Sequence, residues 1–179
     1  DRLRTAGAEP EMPVWLDEGK AFDILLTGRA DSARDALAFY SDTADIVVQG
    51  TEHRRKMLLV SDMDSTIIGC ECIDELADFA GVKAQVAEIT ERAMRGELAF
   101  EGALRERVAM LKGLGLDKLQ ACFDERVRLN PGAETLVKTM AAHGARCVLV
   151  SGGFTFFTSR VTAAAGFHAH RANTLIDDG

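Results

Sequence analysis

Asp62 and Asp64 stand two residues apart, directly after the apolar run Met57-Leu58-Leu59-Val60. A run of that kind reads as a buried strand, so both carboxylates leave it at the sheet edge where α/β folds bind ligands. Two carboxylates so close repel each other and call for a cation, with oxygen-loving Mg²⁺ the natural choice. One of them can also attack phosphorus while the other carries the proton. The same spacing equally suits a helix start in which Asp62 or Asp64 caps orphan amides. A second candidate is Ser151-Gly152-Gly153, again after an apolar run, Cys147-Val148-Leu149-Val150. A hydroxyl followed by two glycines exposes backbone N–H groups of the kind that bind phosphate, although many plain strand–helix turns share that composition.

For these groups to meet, consecutive strands must lie side by side. Strands are expected at 57–60, 147–150 and 168–172. Helices are expected at 73–79, 84–95, 100–112, 116–127, 133–142 and 156–165, punctuated by glycines and by Asn130-Pro131-Gly132. That order implies right-handed parallel crossovers, hence an α/β, doubly wound parallel sheet. The helices between the first two strands exceed one crossover and read as an inserted helical cap. Residues 57–71 and 129–179 form the partial core, and 72–128 the cap. Residues 1–56 differ in texture, with Pro10, Pro13, Trp15 and Tyr40, a helix expected over 32–39, a strand at 44–48 and a polar linker at 51–56. This segment reads as a possible remnant of a regulatory domain. The absence of an initiator Met points to trimming at the N-terminus.

Composition narrows the partners. The formal net charge is −7, which argues against nucleic acid and anionic membranes. No apolar run approaches the roughly 20 residues of a membrane-spanning helix. Cys70, Cys72, Cys122 and Cys147 form no disulfide framework, and no Cys/His pair stands at zinc-site spacing. They read as reduced thiols of a cytoplasmic protein. His168 and His170 read as incidental to a strand. Arg92, Arg95, Arg105 and Arg107 suit either a local positive field for an anionic substrate or a solvated helix face.

Asp62-Met63-Asp64-Ser65-Thr66, with the later Ser151-Gly152, resembles the first two motifs of the haloacid dehalogenase (HAD) superfamily. The likeness narrows to its phosphoserine phosphatase family through Glu71, Ile73-Asp74-Glu75, Met94 to Phe100, Leu104 to Val108, Ser151-Gly152-Gly153-Phe154 and Ala172-Asn173-Thr174-Leu175. It covers roughly Leu58 to Gly179. The resemblance implies a Mg²⁺-dependent phosphomonoesterase that releases serine from O-phosphoserine through an aspartyl phosphate. It makes Asp62 the nucleophile and Asp64 the general acid and base, with the Asp62 carboxylate and Asp64 carbonyl on Mg²⁺. Ser151 and Gly152 would bind phosphate, Glu71 the substrate ammonium and Arg107 its carboxylate. Met94 and Phe100 would form an apolar lid. Without the resemblance, Glu71 and Arg107 read as solvated charges and Met94 and Phe100 as core.

Two further elements of the family pattern, a phosphate-neutralising Lys and a late Gly-Asp-Gly-x-x-Asp, do not occur before Gly179. The expectation that follows is a chain inactive or nearly so by itself, with an open sheet edge that favours association, a homodimer included. The alternatives are a related phosphatase or phosphotransferase acting on another small metabolite, and a non-catalytic binding fragment.

Overall fold

The computed structural model describes residues 1–176, so the last three residues of the expected 129–179 core segment lie outside the described residues. The chain divides into two compact units, Asp1–Arg55 and Lys56–Gly179.

In the first unit, helix α1 (Arg2–Thr5) precedes four short strands: β1 (Ala8–Pro10), β2 (Val14–Asp17), β3 (Ala21–Asp23) and β4 (Leu26–Gly28). β1 pairs antiparallel with β4, and β2 with β3. Trp15 and Phe22 face each other across the β2–β3 ladder, edge to face with ring centroids 5.0 Å apart, a cross-strand pairing that fixes register. Helix α2 (Ala30–Leu37) follows, two residues ahead of the expected 32–39 at both ends. The strand expected at 44–48 is not formed. β-branched residues make a strand only where a neighbour takes their backbone groups, and here the carbonyl of Val48 instead accepts the guanidinium of Arg34 at 3.1 Å. The four strands actually present went unread, because each is too short to show a period.

The second unit opens with β5 (Leu58–Ser61). Four helices follow, α3 (Cys72–Phe79), α4 (Lys83–Met94), α5 (Phe100–Met110) and α6 (Leu116–Arg126), and then α7 (Ala133–Ala142), β6 (Arg146–Phe154), α8 (Thr155–Ala165) and β7 (Ala169–Asn173). The sheet runs β5-β6-β7, all parallel, in the α/β arrangement expected. α7 and α8 pack on each other and on β6. Gly166, at φ +90°, ends α8 with its N–H on the carbonyl of Thr162, a left-handed cap that favours glycine. Cys147, Leu149, Phe154, Phe157 and Val161 fill the space between sheet and helices.

The two apolar runs are not buried on both sides as expected. Leu58 and Val60 are 57% and 58% exposed, as a strand with one covered face requires, while Leu59 packs on the core. β6 also continues past Val150 to Phe154, across an irregularity in its register with β7. The two histidines have structural partners. His168 Nδ1 accepts the Cys147 N–H at 3.0 Å, and His170 Nδ1 lies 2.9 Å from the Thr158 hydroxyl. All four cysteines are free thiols. Among the described residues no helix is long and apolar enough to cross a membrane.

The helical insertion is stitched where it leaves the core and where it returns. Ile68 bridges to Leu129, the Gly69 N–H bonds the carbonyl of Arg128, and the Asn130 side-chain amide donates to the carbonyls of Thr66 at 2.8 Å and Ile68 at 3.3 Å. A Cβ on Gly69 would stand 3.1 Å from Asn130 Oδ1, so the two segments touch closely. Phe157, on α8, is wholly buried in the core. Phe157→Ala should lower unfolding stability by about 3–5 kcal/mol through lost burial and an unfilled cavity, read as a shift of the urea midpoint.

Candidate active site

The first carboxylates owe their direction to the residue between them. Met63 is fully buried, and its carbonyl accepts the N–H groups of Thr66, Ile67 and Ile68 in one tight turn. With Met63 anchored inward, Asp62 and Asp64 both line one cavity of about 310 Å³ at the carboxyl edge of the sheet. Asp62 Oδ1 accepts the Met63 N–H at 2.7 Å, which steadies its negative charge. Ser65 then takes a left-handed backbone, φ 51°, uncommon for a residue with a side chain. From there its hydroxyl donates to Glu71 Oε1 at 2.6 Å, and its N–H to the carbonyl of Cys70.

The phosphate-type loop comes from the irregular end of β6. Ser151 Oγ accepts the Gly153 N–H at 2.9 Å, which leaves the hydroxyl proton free to donate elsewhere. Asn173, on β7, donates its amide to the Gly152 carbonyl at 2.8 Å and so holds the loop from the outside. A Cβ on Gly153 would meet Ser151 Oγ at 3.1 Å and Asp64 Oδ2 at 3.3 Å, so a larger residue would crowd both side chains where the loop nears the second carboxylate. Phe100, at the start of α5, lies over Gly152, with its Cζ 3.2 Å from where a Cβ would be.

Ile73, Leu104 and Phe154 supply apolar wall, and Arg107 completes the lining with Glu71. Of the eight residues singled out in the sequence, all but Met94 line this cavity. Met94 sits at the end of α4, 84% exposed and away from the lining. The arginine cluster also divides. Arg92, Arg95 and Arg105 form ion pairs with Glu91, Glu97, Glu101 and Glu106, as solvated helix faces do. Arg107 has no ion pair within 4 Å among the described residues, and its charge is left to the cavity. Ser65, Ile73, Leu104 and Phe154 have no role readable from the sequence. Their signal is position alone: each lies within a few residues of an assigned group.

Asp64 is the unusual acid. Its pKa is pushed up from an ordinary 3.8 to about 6, chiefly by burial; the Cys72 thiol partly offsets this, and the charges of Glu71 and Asp62 add to it. Its Oδ1 is buried without a hydrogen-bond partner. A carboxyl that changes state near neutrality with a free oxygen can give and take a proton. Because the folded chain holds this proton more tightly than the unfolded one, Asp64 favours folding at low pH. That contribution is lost as pH rises from 3.8 to about 6. Urea midpoints of metal-free protein should therefore fall over that window relative to Asp64→Asn, whose own midpoints should lack that component. Parallel curves would contradict the assignment.

The sequence profile of the haloacid dehalogenase-like hydrolases matches residues 59–179. The phosphoserine phosphatase of Polaromonas sp. (strain JS666 / ATCC BAA-500) is 50% identical over 119 residues, 66% of this chain and 50% of that protein. The phosphoserine phosphatase of Archaeoglobus fulgidus is 46% identical over 138 residues, 75% of this chain and 40% of that one. A substrate-bound phosphoserine phosphatase structure superposes with a TM-score of 0.63 at 36% identity, covering 69% of this chain and 59% of its own. A HAD family hydrolase from Salmonella enterica subsp. enterica serovar Typhi reaches 0.82 at 26% identity, covering 98% of this chain and 63% of its own. The chain spans about half the length of the curated relatives it matches. With the profile extending over most of its length and the motif carboxylates gathered at the sheet edge, the chain belongs to the haloacid dehalogenase-like hydrolases.

Proposed function

We propose that this crevice belongs to a phosphomonoesterase that hydrolyses O-phosphoserine to serine and phosphate. The observation that carries the reading is the lining of one cavity by an acid and an unpaired arginine, Glu71 and Arg107, together with two carboxylates and a Ser-Gly-Gly loop. A phosphorylated amino acid carries the complementary set: an ammonium, a carboxylate and a phosphate. The relatives described above, named for this activity, support it.

In the proposed reaction a carboxylate oxygen of Asp62 attacks phosphorus, and the bond from phosphorus to the serine oxygen breaks. Asp64 gives its proton to that departing oxygen, and an aspartyl phosphate remains on Asp62. Water then attacks phosphorus, Asp64 takes its proton, and inorganic phosphate leaves with the Asp62 carboxylate restored. A pKa of about 6 suits both duties of Asp64. The free hydroxyl proton of Ser151 and the amide of Gly152 would hold phosphate oxygens. Glu71, steadied by Ser65, would receive the ammonium, and the fork of Arg107 the carboxylate. Phe100 and Met94 are assigned to an apolar cover; the contact of Phe100 with Gly152 supports the first, and no contact in the cavity supports the second.

Phosphatases of this family use Mg²⁺. The all-oxygen donor set and the partnerless Asp64 Oδ1 fit such a hard cation, although no group of three or more acidic, His or Cys ligands stands together among the described residues. The Asp62 carboxylate and the Asp64 carbonyl would hold the ion, which would neutralise charge on the transferring phosphoryl group.

The test is phosphate release from O-phosphoserine in Mg²⁺ by the whole gene product. Asp62→Asn should reduce turnover by on the order of 10³-fold or more through loss of the nucleophile. Arg107→Glu should raise the KM for O-phosphoserine by about 100-fold, as reversal of a charge-assisted contact requires. An unchanged KM in Arg107→Glu would point to another small phosphorylated metabolite.

A further inference from the structure

Thr90 lies outside the cavity, half-buried on α4, yet it touches the one arginine that reaches inside. Its hydroxyl donates to the carbonyl of Val86, one turn back, at 3.1 Å. That commits its only proton and leaves its lone pairs for a donor. Arg107 Nη1, across the α4–α5 packing, supplies one at 3.3 Å. Arg107 Nε donates to the carbonyl of Ala103 on its own helix, also at 3.3 Å. A guanidinium has five N–H donors, so these two contacts leave three for the cavity, enough for a bidentate grip on a carboxylate.

We infer that Thr90 is a positioning residue for Arg107, fixing the orientation of its guanidinium so that the cavity is set for ligands bearing a carboxylate. The inference rests on the reading above that Arg107 receives the substrate carboxylate. An arginine held by acids needs no such neutral partner, and Arg92, Arg95 and Arg105 are held by acids. Arg107 gives its two fixed bonds to uncharged oxygens, which orient it without an ion pair. A flexible arginine would lose side-chain freedom on gripping a ligand, and a pre-oriented one has already lost it.

The test compares wild type, Thr90→Val and Thr90→Ser. Valine keeps the branched shape and removes the acceptor, whereas serine keeps the hydroxyl. The first readout is the ¹⁵N–¹H signal of the Arg107 side-chain Nε, identified by its loss in Arg107→Lys. It should report an ordered group in wild type and Thr90→Ser and a mobile one in Thr90→Val. The second is calorimetric binding, without Mg²⁺ so that neither compound is turned over, of O-phosphoserine and of O-phosphoethanolamine, which has the ammonium and phosphate but no carboxylate. Thr90→Val should weaken O-phosphoserine by about five- to tenfold, the scale of one hydrogen bond, and O-phosphoethanolamine by less than about twofold. Thr90→Ser should restore both. An ordered Arg107 in Thr90→Val, or equal weakening of the two ligands, would overturn the inference. If wild type takes neither compound, the proposed substrate falls, and the Arg107 signal still decides whether Thr90 positions it.

Discussion

Three backbone amides converge on the carbonyl of Met63 while its side chain is sealed in the core. The rest of the site depends on that turn. It makes the chain leave the sheet abruptly, and it allows the residues on either side of the buried one to face the same crevice. The same turn sets Asp64 beside the glycine loop of β6, its Oδ2 3.3 Å from where a Cβ on Gly153 would stand. Ser65 reaches Glu71 only because the same turn brings its backbone round into a left-handed conformation.

Acidic groups brought together this way repel one another, and the fold answers by dividing the positive charge unevenly. Arginines on the outer faces of α4 and α5 are neutralised by their own glutamates, and such exposed pairs contribute little to stability. Arg107 is instead held by neutral oxygens, so its field acts on the cavity. The cavity of an acidic chain thereby keeps a cation suited to an anion. The raised pKa of Asp64 is a product of the same crowding, since burial next to other carboxylates favours the protonated form.

Much of the second unit was legible in its residues. Helices α3 to α8 begin and end near the positions marked by glycines and by Asn130-Pro131-Gly132, because those signals act locally. The two catalytic-type motifs could be placed at strand ends for the same reason. What the sequence could not reveal depended on partners distant along the chain. β6 runs on to Phe154 because Asn173 pairs with it there. Residues 44–48 have strand composition and no strand beside them. Arg95 and Arg105 pair with acids close by in sequence, Glu91, Glu97 and Glu101, whereas the pair of Arg92 with Glu106 and the neutral partner of Arg107 form only when α4 packs on α5. Met94, brought forward by family likeness, is exposed at the end of α4 and outside the cavity lining, a placement that depends on how α4 packs and not on its neighbours in sequence.

The stitching between residues 66–69 and 128–130 gives the helical insertion an evolutionary independence. The hydrogen bonds of Asn130 and the bridge from Ile68 to Leu129 close the excursion at its base, so the chain leaves the core and returns to it side by side. Loop closure depends only weakly on the length enclosed. The register of the strands therefore depends little on the length of the excursion, while α3 and α6 stay tied to the core through Cys72 beside Asp64 and Gln120 on Arg160. In such a chain the chemistry is inherited from the base, and selectivity can be rewritten in the cassette above it.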